Sequence, residues 1–216
     1  MYKRQGLPFA QEAIFGNDGY SYLDVDLEAM NENFLPGTEY VHAETVDKGE
    51  YGTWADPNTG ERTQVLDHYR ISWRLMAQTK NARSLFTAIL PPRVAHINGI
   101  QSLGPIRDRR DVIAAANMST MVIDFLVRSA GYTNLYPSAV VNLPMIESDH
   151  LDIPLVDLFL RLNCLTTAYA PLWKQITGSE WAADVPLRVT LDRLRAQSEI
   201  DAIMAVSYTQ SPSPRD

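Results

Sequence analysis

Arg70 and Arg74 stand in a stretch where Tyr69, Ile71 and Trp73 alternate with Arg70, Ser72 and Arg74. Lys80, Asn81, Arg83 and Ser84 follow it, and His96 and Asn98 come shortly after. Arginine grips phosphate or reads the edge of guanine, asparagine reads adenine, and serine takes either partner. Arg93, Arg107, Arg109 and Arg110 extend the run with candidate phosphate grips. The same residues have a plainer use, in which Arg70 and Arg74 form structural ion pairs across a sheet.

Other chemistries find less support. There is no phosphate-binding Gly-x-x-x-x-Gly-Lys-Ser/Thr, no Gly-x-Gly-x-x-Gly opening a helix and no Gly-x-Ser-x-Gly elbow. His42, His68, His96 and His150 lie far apart, without metal-ligand spacing. Cys164, the single cysteine, sits among apolar helical residues and reads as a buried structural thiol. It excludes an internal disulfide framework. Asp24 and Asp26 flank Val25, so a strand there would put both carboxylates on one face, open to a divalent ion or acid–base work.

The charge distribution supports the basic reading locally. The net charge is −7, which argues against general affinity for nucleic acid. Yet residues 67–130 carry 9 bases against 4 acids, while residues 1–66 carry 12 acids against 4 bases. A polyanion meets the local field, not the total. With 216 residues, 45% apolar and 21% charged, the chain has ordinary globular composition, which excludes a collagen-like or wholly disordered one. Its longest apolar runs, such as residues 121–127 with Asp124 inside, are far too short for a membrane span, and the N-terminus lacks a signal-like stretch. The expectation is a soluble cytoplasmic protein.

The elements that must position these residues fall into three parts. Residues 1–63 are acidic, loop-rich and weakly periodic, with a short strand possible over 20–25 and a loop tip at Pro57-Asn58-Thr59-Gly60. Residues 64–146 form the best-patterned part. Alternation from Tyr69 predicts a half-buried strand with Arg70, Ser72 and Arg74 on its open face. Residues 84–90, stopped by Pro91-Pro92, predict its antiparallel partner, and residues 94–100 a third strand. Asp111 reads as the N-cap of one helix over 112–130, closed by Gly131. Asp124 and Arg128 form a surface i,i+4 pair on it. Residues 147–216 predict helices over 154–168 and 186–205 and a frayed tail. The fold class expected is α+β: a small antiparallel sheet packed by helices, then a helical C-terminal lobe.

Residues 69–92, YRISWRLMAQTKNARSLFTAILPP, resemble a segment in the C-terminal half of large bacterial adenine-N6 DNA methyltransferases. These are fused restriction–modification enzymes and phage-defence methylases of the PglX and DISARM type. Residues 122–146 resemble the next segment of that family, with Asp124, Arg128 and the closing Pro144 at its motif positions. Residues 161–173 and 186–206 resemble its helical tail, Ile200-Asp201-Ala202 standing where the family has Leu-Asp-Ala. Ser84 departs from the family's usual threonine.

The resemblance implies target recognition: a region that clamps duplex DNA while a catalytic half flips out one base. The family's glycine-rich S-adenosylmethionine loop and Asn-Pro-Pro-Tyr motif do not occur here, and Leu90-Pro91-Pro92-Arg93 is no substitute. No catalytic or metal-binding residue is therefore expected in this chain. S-adenosylmethionine belongs to a fused or separate methyltransferase half, with double-stranded DNA as the other partner. The chain corresponds to a fragment, a separate recognition subunit or an isolated portion of such an enzyme. Arg70, Arg74, Asn81 and Arg83 match the family's first motif and are the DNA-contact residues it implies, although Arg83 has the alternative of pairing with Asp124 inside the fold; Lys80, Arg93, Arg107, Arg109 and Arg110 join them as expected contacts from the basic run. The runner-up is a protein-interaction module, or remnant, that binds a methyltransferase without touching DNA. A third reading is a small enzyme using Asp24 and Asp26 with a divalent ion.

Overall fold

A computed structural model describes residues 26–34, 52–56, 59–77, 83–96, 98–145 and 152–210. The strands arise where β-branched and aromatic residues alternate with polar ones. β1 (Thr53–Ala55) and β2 (Arg62–Gln64) form an antiparallel hairpin, with Trp54 opposite Thr63. Asp56 Oδ1 accepts from the Thr59 amide and Gly60 takes φ 72°, so Thr59 and Gly60 of the expected loop tip lie at the turn of this hairpin; Pro57 and Asn58 lie outside the described residues. β3 (Arg70–Arg74), β4 (Thr87–Leu90) and β5 (Ile100–Leu103) form a second sheet in the order β4-β3-β5, antiparallel throughout. Arg70 lies opposite Leu90, and Ile71 opposite Leu103.

The predicted hairpin of β3 and β4 is present, and the third strand runs over Ile100–Leu103, not 94–100. The expected open face of β3 is a correction. Ile71 and Trp73 face the core, but Arg70 and Ser72 on the other side are buried too. The β1–β2 hairpin covers that side: a Cβ at Gly104 would meet the Trp54 ring at 3.0 Å, the Tyr69 carbonyl at 3.1 Å and Arg70 Cα at 3.3 Å. A side chain at Gly104 would push the Trp54 ring back by a few tenths of an ångström.

The single expected helix over 112–130 is two. α1 (Arg109–Met118) is capped by Asp108, not Asp111: the Asp108 carboxylate accepts from the amides of Arg110 and Asp111. α2 (Met121–Ser129) begins again at Thr120, and the pair is bent by 60°. The Ser119 and Thr120 hydroxyls donate to the carbonyls of Ala116 and Asn117, closing α1, while Thr120 turns extended and accepts from the Ile123 amide. Such side chains offer the backbone an alternative to helix. Gly131, at φ 71°, ends α2 as expected.

α3 (Pro137–Val140) is one turn, and α4 (Asp152–Asn163) stops short of the expected residue 168. The chain then makes a 3-10 turn and α5 (Ala170–Thr177), before α6 (Thr190–Gln210). The fold is α+β. One buried cluster runs from Ile71 and Ile89 through Val112, Ala115 and Ala116 to Phe159, Leu172 and Ile200, so the sheet and the C-terminal helices share a core. Ala115 and Ala116, fully buried and small, let α1 pack closely against α4 and β4. Trp73 Nε1 donates to the Leu135 carbonyl at 2.7 Å, and Tyr169 Oη to that of Ile89 at 2.9 Å, so both polar tips are satisfied. Among the described residues, no single helix is long and apolar enough to cross a membrane.

Cys164 is fully buried and burial pushes its thiol well above the usual range. The native protein is expected to resist alkylation at Cys164 at neutral pH and to label only as it unfolds. Fast labelling of native protein would contradict this packing. Burial likewise pushes Tyr69 up to about 12 and Tyr169 higher. Raised phenol values hold the proton more tightly in the folded state. Their contribution is complete below pH 10 and is lost as pH climbs through the folded values. Phenolate absorbance should show two tyrosines ionising late, together with alkaline unfolding; ordinary titration of both would contradict it.

Candidate functional site

The arginines of the basic segment divide between the interior and one end of the sheet. Arg70 is 2% exposed, which corrects its expected place on an open DNA-facing surface. Its Nη2 donates to the Val94 carbonyl, its Nε has no partner, and burial lowers its pKa from the usual arginine value. Arg83 is also taken up by the fold. Its guanidinium donates to the Ser119 carbonyl and to Asp201 Oδ2, both at 2.6 Å. Asp201 Oδ1 in turn accepts from the Met121 amide at 2.8 Å. A cation thus sits at the C-terminal end of α1 and an anion at the start of α2, as the two helix dipoles favour. The expected partner Asp124 is instead used one residue along. Its Oδ1 accepts from the amides of Ser84 and Leu85 at 2.6 and 2.8 Å, and its Oδ2 from Arg128 Nε at 2.8 Å. The Asp124–Arg128 pair is therefore a half-buried strut, with Asp124 inside and Arg128 partly exposed, not the surface pair its spacing suggested.

Residues 83–85 are consequently gripped from two sides, and the motif positions Arg83, Asp124, Arg128 and Asp201 form one polar knot at the α1–α2 bend. Sequence reasoning missed Asp201 as Arg83's partner and Asp108 as the cap. The aspartate two residues before Arg110 was a readable N-cap signal; the long-range pair had none.

The remaining arginines are placed by strand register. β4 leaves the sheet beside Arg70 and leads through Pro91-Pro92 to Arg93, while β5 leaves it beside Ile71 and leads to Arg107, Arg109 and Arg110. Both exits are at the same end of β3. Arg93 is exposed, holds φ 67°, and donates its amide to the Leu66 carbonyl at 2.6 Å. A left-handed arginine costs about 1–2 kcal/mol, and the amide bond to Leu66 helps hold this backbone conformation. Arg107 is exposed and pairs with Asp111 at 3.7 Å; Arg110 is exposed and Arg109 partly so. The Asp108 and Asp111 carboxylates beside them are turned onto backbone amides. Arg74, partly exposed, lies at the other end of β3, about 13 Å away at a strand's rise per residue. Lys80 and Asn81 lie outside the described residues.

The polar side of β3 beneath the β1–β2 hairpin forms a cleft of about 240 Å³, lined by Trp54, Val65, Arg70, His96 and Ser102. His96 Nε2 lies 2.9 Å from Ser102 Oγ. Asp24 lies outside the described residues, and Asp26 Oδ1 accepts from the amides of Glu28 and Ala29, as a turn cap does. Among the described residues, no group of three or more His, Cys, Asp or Glu side chains is placed to hold a metal ion. The chain matches no protein-family model, no curated protein and no solved structure.

Proposed function

We propose that the chain is a non-catalytic DNA target-recognition unit that works with the catalytic half of an adenine-N6 methyltransferase. The observation that carries this reading is the convergence of Arg93, Arg107, Arg109 and Arg110 at one end of the sheet, brought there by the two strand exits beside Arg70 and Ile71. Arginines carried to one end of the sheet by both flanking strands suit the closely spaced phosphates of a duplex. Convergence of Arg83, Asp124, Arg128 and Asp201 on one knot adds support, since it gives the motif positions of the resemblance a common architectural task. S-adenosylmethionine chemistry and base flipping fall to the partner half. Selection from a random duplex pool, by the chain alone and joined to such a half, tests the reading. An enriched motif is expected; recovery without sequence bias in both arms overturns recognition.

A second reading, docking to a protein partner without DNA contact, has its own observation. Met121 and Phe125 stand one turn apart on α2 and are 62% and 67% exposed, an apolar stripe that the fold leaves uncovered. Capture of the methyltransferase half that is lost in Phe125→Ser, with no duplex binding, would favour it.

A further inference from the structure

Asn98 is the one asparagine in the sequence that is followed by glycine. The pair forms the turn into β5, and Asn98 is exposed. An asparagine side-chain amide is open to attack by the next peptide nitrogen, and glycine, with no Cβ, obstructs that attack least. Gln101 holds both oxygens of Asn98. Its Nε2 donates to Asn98 Oδ1 at 3.0 Å and to the Asn98 carbonyl at 3.2 Å, with the Ile100 carbonyl at 3.3 Å as a third acceptor. The two Asn98 oxygens are those that a cyclic imide closed on Gly99 would keep. A donor on Oδ1 meets negative charge where it develops as the nitrogen attacks.

We infer that Asn98 is a self-modification site, which loses ammonia through a cyclic imide with Gly99 and reopens with water as aspartate or isoaspartate. The Gly99 nitrogen gives up its proton and bonds to Asn98 Cγ. The Cγ–Nδ2 bond breaks, and Nδ2 leaves as ammonia with a proton from solvent. Water then adds to one of the two imide carbonyls, and the bond from that carbon to the Gly99 nitrogen opens. Opening at Cγ restores the backbone and leaves a side-chain carboxylate. Opening at the main-chain carbon routes the backbone through Cγ, which is isoaspartate. Nothing is oxidised or reduced, and water is the co-reactant. Either product places a carboxylate two residues before Ile100, which lies opposite Arg74. Isoaspartate also lengthens the main chain just before Gly99, whose carbonyl accepts from the Leu75 amide at 3.0 Å, so it loosens that end of the β3–β5 pairing. The inference does not depend on the duplex reading, whose four arginines lie at the other end of the sheet.

The test is timed incubation of the full chain in mildly acidic and mildly alkaline buffer, followed by tryptic digestion and mass spectrometry. The peptide spanning 94–107 carries Asn98 as its one asparagine, and a synthetic copy of it is the reference without a fold. The native chain should lose ammonia at Asn98 at least as fast as the peptide. The rate should be higher in alkaline buffer, because the attacking nitrogen must shed its proton, and isoaspartate should accompany aspartate. Gln101→Met keeps the side chain's length and removes the donor. It should slow the native chain about 2- to 10-fold, the net worth of one hydrogen bond, and leave the peptide unchanged. Asn98→Ser should give no product and sets the background. A native rate well below that of the peptide overturns the site without recourse to any variant. An equal or faster rate in a folded Gln101→Met chain overturns the role of Gln101, and aspartate formed without isoaspartate overturns the imide route.

Discussion

Asp124→Ala is expected to be the most destabilising polar substitution in the chain. Asp124 is 5% exposed, and its two oxygens satisfy the amides of Ser84 and Leu85 and the Arg128 guanidinium. Alanine would leave two buried N–H groups without an acceptor and one partly buried cation without its anion. Breaking such a buried constellation costs about 3–5 kcal/mol, which for a chain of this size lowers Tm by roughly 10 °C. Asp124→Asn keeps one carbonyl oxygen for the two amides and gives up only the charge facing Arg128. It should therefore lose about half as much. Melting curves of the two variants check this, and a wild-type Tm for Asp124→Ala would contradict the knot.

The second large effect concerns binding. Replacing Arg93, Arg107, Arg109 and Arg110 together with glutamine should leave the fold intact. Arg107 holds only a long pair with Asp111 at 3.7 Å, and exposed pairs of that kind contribute little. Each other site is a surface change, within about 0.5 kcal/mol. If each guanidinium contributes on the order of 0.7 kcal/mol to phosphate contact, duplex affinity falls by about 100-fold. Arg74→Gln is the geometric control. It is the same substitution at the opposite end of β3, beyond about one Debye length at physiological salt, and should leave affinity unchanged. Equal losses from Arg74→Gln and from the fourfold variant would contradict an interface confined to one end.

The strands and their pairing were legible because alternation over Tyr69–Arg74 and the Pro91-Pro92 stop are local signals. The same alternation separated the two faces of β3 correctly, and failed only on what lies over the polar one. The covering hairpin is built from three-residue strands, too short for periodicity to show. Reading 112–130 as one helix ignored Ser119-Thr120, whose hydroxyls compete for the helical carbonyls and force the bend. α5 escaped notice because Pro171 reads as a breaker, whereas at the first turn of a helix it is tolerated. For the site, the basic segment was visible as composition, but the division of its members was not. Arg70 and Arg93 differ in exposure because of register and strand exits, and Arg83 found Asp201 far along the chain. Side-chain identity carried the chemistry; tertiary placement decided which arginines face water.

Under the proposed function, a small, countable set of arginines at one end of the sheet grips phosphates. The most direct test is affinity for a random duplex pool measured across a salt series. Four contacts predict a slope of log affinity against log salt of about −3 to −4, reduced close to zero in the fourfold glutamine variant. A wild-type chain whose duplex affinity is absent at low salt, or does not change with salt, would contradict the claim.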